Sequence, residues 1–540
     1  MATATLAAAA PVQEAYIKAL LPKAGENLGS AVAISGDTMV VGASAQDLGA
    51  GRAYVFVRRG SNWSQQAELR PAVKLAGYDG FGASVGIVGD TIVIGASSDP
   101  SSATGVNGNP RDNFARGSGA AYVFVRKGNT WTQQAYLKAS NTGANDHFGT
   151  SVTISGETVA VGADYEASSE TGVNGDPGDD SAPGAGAAYV FVRQGTNWSQ
   201  QAYIKASNAE GGPYPDHFGM AMAMSGDSLV VTAMLESSNA TGINGDQSDN
   251  SSFLAGAAYV FVRNGTTWSQ QAYLKASNTG TAGAHGLFGR SVAISGNTIV
   301  VGANMETSNA TGVNGNQNDT SASFAGAAYV FLRTGTTWAQ QAYLKASNTG
   351  AGDLFGLSVG IWGDTIVVGA NGESSNATGT HGNQSDNSAT NSGAAYVFVR
   401  SHGTWSQQAY LKASNTGNDD NFGQAVAIWG DTVVVGAYGE DSASGGINGN
   451  QADNSLSAAG AVYVFVPLGN SPRLVSTLDE AGRYLIHFTG VGDVIYQILR
   501  SPTSDGPWET IDSVFSFTEF FEYQDPNPLP GHAFYRTMQP

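Results

Sequence analysis

One pattern, long enough for a tight hairpin, recurs seven times in this chain, and self-similarity at a near-fixed period constrains architecture before any single motif does. A full copy runs Phe355-Gly356-Leu-Ser-Val-Gly-Ile-Trp-Gly-Asp-Thr-Ile-Val-Val-Gly-Ala370. The copies are anchored at Leu28-Gly29, Phe81-Gly82, Phe148-Gly149, Phe218-Gly219, Phe288-Gly289, Phe355-Gly356 and Phe422-Gly423. Each leads to a Gly-Ala-Ala-Tyr-Val-Phe-like segment around Tyr54, Tyr122, Tyr189, Tyr259, Tyr329, Tyr396 or Tyr463. Six of these continue into a Trp-Ser-Gln-Gln-Ala-Tyr-Leu-Lys-like segment starting at Trp63, Trp131, Trp198, Trp268, Trp338 and Trp405.

The segments read as four strands. Strand one alternates, as in Ser291-Val-Ala-Ile-Ser295, and strand two is apolar, as in Thr298-Ile-Val-Val-Gly-Ala303. Two residues join them: Gly36-Asp37, Gly89-Asp90, Gly156-Glu157, Gly226-Asp227, Gly296-Asn297, Gly363-Asp364 and Gly430-Asp431. Gly followed by a polar residue marks a type I′ or II′ hairpin turn, because Gly tolerates positive φ. Strand three is rich in aromatic and β-branched residues, which favour strands, and a short Gly turn leads to strand four. Seven antiparallel four-stranded units predict an all-β, seven-bladed β-propeller. Anchors spaced 53 to 70 residues apart exceed the roughly 40–50 residues of a plain blade. The surplus lies between strands two and three, as in residues 304–324.

The seventh unit stops after strand three at Val466-Pro467, while an orphan fourth strand, residues 13–19, precedes the first unit. That segment is expected to complete the last blade, closing the ring and removing open sheet edges. The predicted organisation is residues 1–11 as a disordered N-terminal remnant of a signal peptide or an expression scar, 12–467 as the propeller, and 468–540 as a small C-terminal β-sandwich. The last is read from alternating segments such as Tyr484-Leu-Ile-His-Phe488, Val494-Ile-Tyr-Gln-Ile-Leu499 and Ala533-Phe-Tyr-Arg536.

Composition agrees. The 540 residues are 41% hydrophobic, only 13% charged, and include 72 glycines, a balance suited to turn-rich β-structure. A formal net charge of −19 argues against nucleic acid, whose phosphates need clustered Lys and Arg, and favours a cation or a basic partner surface. With no cysteine, disulfides and thiolate metal sites are excluded. No run reaches the about 18 apolar residues of a membrane-spanning helix.

Phe-Gly, then Val-Val-Gly-Ala, then Gly-Ala-Ala-Tyr-Val-Phe is similar to the FG-GAP repeat of integrin α-subunit propellers and their bacterial relatives, over residues 12–467. The resemblance implies a propeller and a range of roles: adhesins, surface proteins and a few polysaccharide-active enzymes. Integrin-type blades often hold calcium in an Asp-rich loop between strands one and two. Here that link is two residues long, so this site is not carried over.

In such a blade the strand 2–3 and 4–1 loops share one face and the short turns share the other. Long loops in a compact domain usually carry function. Six of the 2–3 loops have an acid four residues after the Gly (or Thr232) of strand two: Asp99, Glu166, Glu236, Glu306, Glu373 and Glu440. Further on come Asn107, Asn109 and Asp112; Asn174, Asp176 and Asp179; Asn244, Asp246 and Asp249; Asn314, Asn316 and Asp319; His381, Asn383 and Asp386; and Asn448, Asn450 and Asp453. Hard oxygen donors in this number suit calcium; the same residues also shape turns through Asx hydrogen bonds and positive φ. A second acidic series, Glu26, Asp79, Asp146, Asp216, Asp353 and Asp420, lies two residues before the anchors. These acids are candidates for a ligand-binding, electronegative funnel at the channel mouth, or for caps at the start of strand one. The strand-four Trp residues are candidates for sugar stacking or for packing between blades.

Catalytic signals are weak. Gly82-Ala-Ser-Val-Gly86 and Gly356-Leu-Ser-Val-Gly360 match Gly-x-Ser-x-Gly, but inside a strand and not at a strand-to-helix elbow. No phosphate loop or His-Glu-x-x-His motif occurs. His147 and His217 stand beside Asp146 and Asp216, an acid–base pairing disfavoured because strand neighbours point opposite ways. The expectation is a non-enzymatic, secreted or cell-surface binding or adhesion protein, its ligand a protein or glycan met through the long loops, with calcium as a possible stiffener. The alternatives are a carbohydrate-active enzyme or lectin using the channel mouth, and a structural protein that self-assembles through its C-terminal module.

Overall fold

Strand one, a two-residue turn and an apolar strand two produce the expected hairpin in every repeat. In the third, Val152–Ser155 pairs antiparallel with Thr158–Ala163, Ser155 opposite Thr158. Gly156 takes φ 55° and Glu157 stays out of the left-handed region, which is the type II′ form. Ala187–Gln194 and Asn197–Ile204 then add strands three and four. The structure, a computed structural model, describes residues 11–44, 51–73, 79–211, 214–280 and 286–467, and six strands between 473 and 538. The described residues contain no helix, hence none long and apolar enough to cross a membrane.

Six sheets each consist of four consecutive strands, and the seventh orders Pro11–Ile17, Ala461–Pro467, Thr432–Ala437 and Phe422–Trp429. The N-terminal strand thus stands where strand four stands elsewhere, and the chain forms a seven-bladed propeller. The closing strand starts and ends two residues earlier than the expected 13–19. Beyond Ile17 the chain leaves the sheet to pair with the 2–3 loop, the Lys18 amide donating to the Gly446 carbonyl at 2.9 Å. Glu14 joins the two ends of the ring by accepting from Trp63 Nε1 (2.9 Å) and Arg58 Nη1 (3.2 Å).

The repeat motif is the material of the blade-to-blade contact. Phe148 is fully buried and meets the rings of Tyr189 and Phe191 edge-on at 5.3 and 6.1 Å. Gly149 adopts φ 94°, and a Cβ there would lie 2.2 Å from the Ala120 carbonyl oxygen of the preceding blade. Gly162 of strand two faces the next blade as closely, since its Cβ would meet the Gly219 carbonyl at 2.0 Å. Both glycines are therefore required by backbone approach. The strand-four Trp residues are buried; Trp198 donates Nε1 to Gln134 of the neighbouring blade at 2.8 Å and lies beneath Arg193. They pack between blades. Apolar clusters span each seam, the one between blades seven and one included, where Ala15 and Ile17 meet Val41 and Val464.

The chain divides into two compact units, one of them Gln13–Phe465. In the other, Arg473–Leu478, Tyr484–Thr489 and Phe520–Gln524 form one antiparallel sheet, and Glu509–Ser516, Val494–Ser501 and Phe534–Met538 a second. The expected remnant, apart from Pro11, lies outside the described residues.

Candidate functional site

Strand four alternates, so Tyr203 and Lys205 project to one face, and that face holds the first acid of the 2–3 loop. Glu166 accepts from Tyr203 Oη (2.8 Å), Lys205 Nζ (2.8 Å) and Asn141 Nδ2 of the neighbouring blade (2.9 Å). All three partners recur for Glu236, Glu373 and Glu440, with Lys275, Lys412 and Lys18 as the cations. Glu306 takes Lys345 and Asn278, both at 3.0 Å. Burial pulls each of these lysines below its ordinary pKa, offset by the adjacent carboxylate. In blade two the shorter Asp99 stands 3.7 Å from Lys138, which donates instead to Ser118 Oγ at 2.8 Å. With its counter-charge withdrawn, desolvation takes Lys138 down to about 8. Blade one lacks the loop, and Glu26 supplies the carboxylate, accepting from Arg52 Nη1 (2.8 Å) and Tyr54 Oη (2.5 Å).

The remaining loop donors turn toward their own backbone. Asn107, Asn174, Asn244, Asn314, His381 and Asn448 adopt φ of 52–59°. Asn174 Oδ1 accepts the Tyr203 amide at 2.9 Å, as Asn107, Asn244, Asn314 and Asn448 do for Tyr136, Tyr273, Tyr343 and Tyr16. Asn109, Asp176, Asp246, Asn316, Asn383 and Asn450 each accept the amide two residues on. So do Asp179, Asp249, Asp319, Asp386 and Asp453, while Asp112 accepts the Ser102 amide at 2.7 Å. These are Asx turns. The Asn and Asp residues expected as calcium donors thus accept backbone amides of their own loops and strands. An ammonium group occupies the cation position beside each glutamate, and no three His, Asp or Glu among the described residues converge as metal ligands.

The second acidic series is buried and does not line an open funnel. Asp146, Asp353, Asp420 and Asp216 accept the amides of Gly143, Gly350, Gly417 and Glu210 at 2.6–2.9 Å, and Asp79 that of Phe81 at 3.0 Å. The carboxylates hold the turn that starts strand one. Desolvation raises them, Asp146 to about 6, Asp353 and Asp420 to about 7 and Asp216 to about 8, so that of the four only Asp216 is mostly uncharged at neutral pH.

Beside them lies a group in which Asp164 and His217 are buried and Tyr165 is exposed. His147 and His217, at φ 59° and 56°, turn away from Asp146 and Asp216 and share Asp164: Nδ1 of His217 lies 3.3 Å from Oδ2 and Nδ1 of His147 3.6 Å from Oδ1. Tyr165 meets both imidazoles edge-on, at 4.7 Å from His147 and 4.3 Å from His217. The two histidines hold the Asp164 carboxyl below the usual range against the pull of burial. Among the described residues, Asp164 Oδ1 and the equivalent Asn304 and Asn371 Oδ1 atoms have no hydrogen-bond partner.

The FG-GAP repeat family matches residues 12–56, 63–124, 131–191, 198–261, 268–331, 338–398 and 405–465. The chain belongs to this family. No curated protein matches it. Among solved structures, an FG-GAP chain with this sequence is similar to a Lactobacillus plantarum protein (9% identity, covering 93% of this chain and 100% of that one, TM-score 0.33). It is also similar to the WD40 domain of Toxoplasma gondii coronin (8%, 86% and 88%, 0.38) and to hydrazine synthase of Kuenenia stuttgartiensis (10%, 78% and 94%, 0.41).

Two parts of this FG-GAP site were not singled out from sequence. The lysines are visible as the constant last residue of Tyr-Leu-Lys, but their pairing with an acid 39 residues away has no local signature. Asp164 occupies a position where the blades differ, with Ser44, Ser97, Met234, Asn304, Asn371 and Tyr438 as its counterparts.

Proposed function

We propose that this protein is a non-catalytic, extracellular binding or adhesion protein, secreted or held at a cell surface, that meets its partner through the long-loop face of the propeller. One observation carries this reading. Of the eight exposed large apolar side chains among the described residues, seven (Leu20, Leu21, Phe114, Tyr165, Tyr214, Phe253 and Phe324) lie in 2–3 or 4–1 loops. Apolar groups gathered on one face of a propeller suit a partner surface, and Asp176, Asp180, Asp246 and Asp419, exposed on the same face, favour a basic one. Tyr214 and Phe253 form its densest point, their rings 4.7 Å apart. The test is an array of matrix proteins and glycans probed with the parent chain and with a Tyr214→Ser, Phe253→Ser, Phe324→Ser variant. Loss of the parent's array signal is expected; undiminished signal removes this face from the function.

A second reading, a carbohydrate-active enzyme at the channel mouth, is favoured by the two imidazoles oriented on Asp164, an arrangement that suits general acid–base work. Turnover of any member of a polysaccharide panel that Asp164→Asn abolishes would establish it in place of the first.

A further inference from the structure

Departures from a repeat stand out against its other copies. Strand one ends in serine in four blades, and each serine Oγ accepts the turn-glycine amide of the next blade: Ser35 from Gly89 (3.0 Å), Ser155 from Gly226 (3.0 Å), Ser225 from Gly296 (3.1 Å) and Ser295 from Gly363 (3.1 Å). Blades six and seven carry Trp362 and Trp429 at this position. Their rings lie 4.0 Å apart at 43°, and Trp362 is 38% exposed, the one exposed large apolar side chain on the short-turn face among the described residues. Serine joins adjacent blades at four seams, so joining blades does not require an indole.

A second departure lies in the same sector. Strand three ends Arg58-Arg59 in blade one and Arg126-Lys127 in blade two, but the second position is Gln194, Asn264, Thr334 and Ser401 in blades three to six. The first arginines are engaged, Arg58 with Asp37 and Arg126 with Asp90, both at 2.7 Å. Arg59 and Lys127 are exposed and form no ion pair among the described residues. Next to the indole pair runs a groove of about 650 Å³, lined by Trp429, Arg59, Gln66, Arg126 and Asn129 among others.

We propose that this sector of the short-turn face, across blades six, seven, one and two, binds an acidic polysaccharide. The apolar face of a pyranose ring stacks on Trp362 and Trp429. Sugar carboxylates meet Arg59 and Lys127, and hydroxyls bond to Gln66 and Asn129. Single-stranded nucleic acid also combines stacking with cations, but it brings one phosphate per nucleotide, whereas a polysaccharide that spaces its uronates with neutral sugars carries half that charge density and asks less of two additional cations on a chain of net charge −19.

The test titrates the full chain calorimetrically with hyaluronan oligomers, whose uronates alternate with neutral sugars, a neutral glucan and single-stranded DNA. Two variants install residues the repeat already uses, Trp362→Ser with Trp429→Ser and Arg59→Gln with Lys127→Gln; Trp362→Ala alone, at an exposed position, guards against loss of folding. The uronate oligomers are expected to bind best, with a salt-sensitive affinity. Loss of one stacking ring weakens binding by about tenfold, and the serine pair by more. The glutamine pair weakens uronate binding and leaves the glucan unchanged. Absence of uronate binding, affinity indifferent to the tryptophans, or tighter binding of the glucan or the DNA would each overturn the proposal.

Discussion

Lys412→Met is the perturbation that most directly tests how the long loops are held. Lys412 and Glu373 are buried to within 1%; Nζ donates to Glu373 Oε2 at 2.9 Å and to Ser392 Oγ at 2.7 Å. Methionine keeps the length of the side chain and removes its charge. Glu373 is then left with Tyr410 Oη and Asn348 Nδ2, each at 2.9 Å, which neutralise nothing. Removing one partner of a buried ion pair costs about 3–5 kcal/mol, whereas replacing both is often close to neutral. The single variant is expected to fall in that range, and Lys412→Met with Glu373→Gln to recover most of it, because the amide oxygen still accepts from Tyr410 and Asn348. Equilibrium urea unfolding followed by tryptophan fluorescence reads both, provided the denaturant slope is shared. A single variant that loses less than about 1 kcal/mol, or a double variant less stable than the single one, would refute the view that lysine is the cation these loops are built around.

Three further outcomes follow from the geometry. If lysine fills the cation position, adding calcium to chelator-treated protein should leave the urea midpoint unchanged, and a marked upward shift would show a site these residues do not form. Asp146, Asp353, Asp420 and Asp216 are raised in the folded state to between about 6 and about 8, above the about 3.9 of an unfolded chain. The folded protein then binds more protons, and the stabilisation, fully present below pH 4, is lost as pH rises toward 8. For Asp146 alone this is on the order of 3 kcal/mol. The midpoint should be higher at pH 5 than at pH 8, with a smaller difference in Asp216→Asn; a midpoint rising over that interval contradicts the burial argument. Finally, Gly149→Ala places a Cβ 2.2 Å from a backbone carbonyl, whereas Gly156→Ala, at φ 55°, meets nothing within 4 Å. About 3 kcal/mol or more is expected for the first and about 1 kcal/mol for the second; equal losses would remove backbone approach as the reason for the motif.

Spacing along the chain determined the strands, the Gly36-Asp37 type of turn, the number of blades and the side on which the long loops gather, because strand period, turn length and repeat count are local quantities. The strand missing after Pro467 and the extra one before Leu28 likewise disclosed the ring closure, short of the two-residue offset that the Lys18–Gly446 pairing introduces. Tertiary structure alone decided what the polar residues do. Glu166 meets a lysine 39 positions later and an asparagine from the neighbouring blade; His217 reaches back 53 positions to Asp164; Trp362 and Trp429, one repeat apart, come together only across the seam between blades six and seven. Those contacts arise from blade apposition around a closed circle. A repeat read one copy at a time carries no trace of which side chains its neighbour will bring, so the same acids that look like metal donors along the chain are salt-bridge partners, caps and turn formers in space.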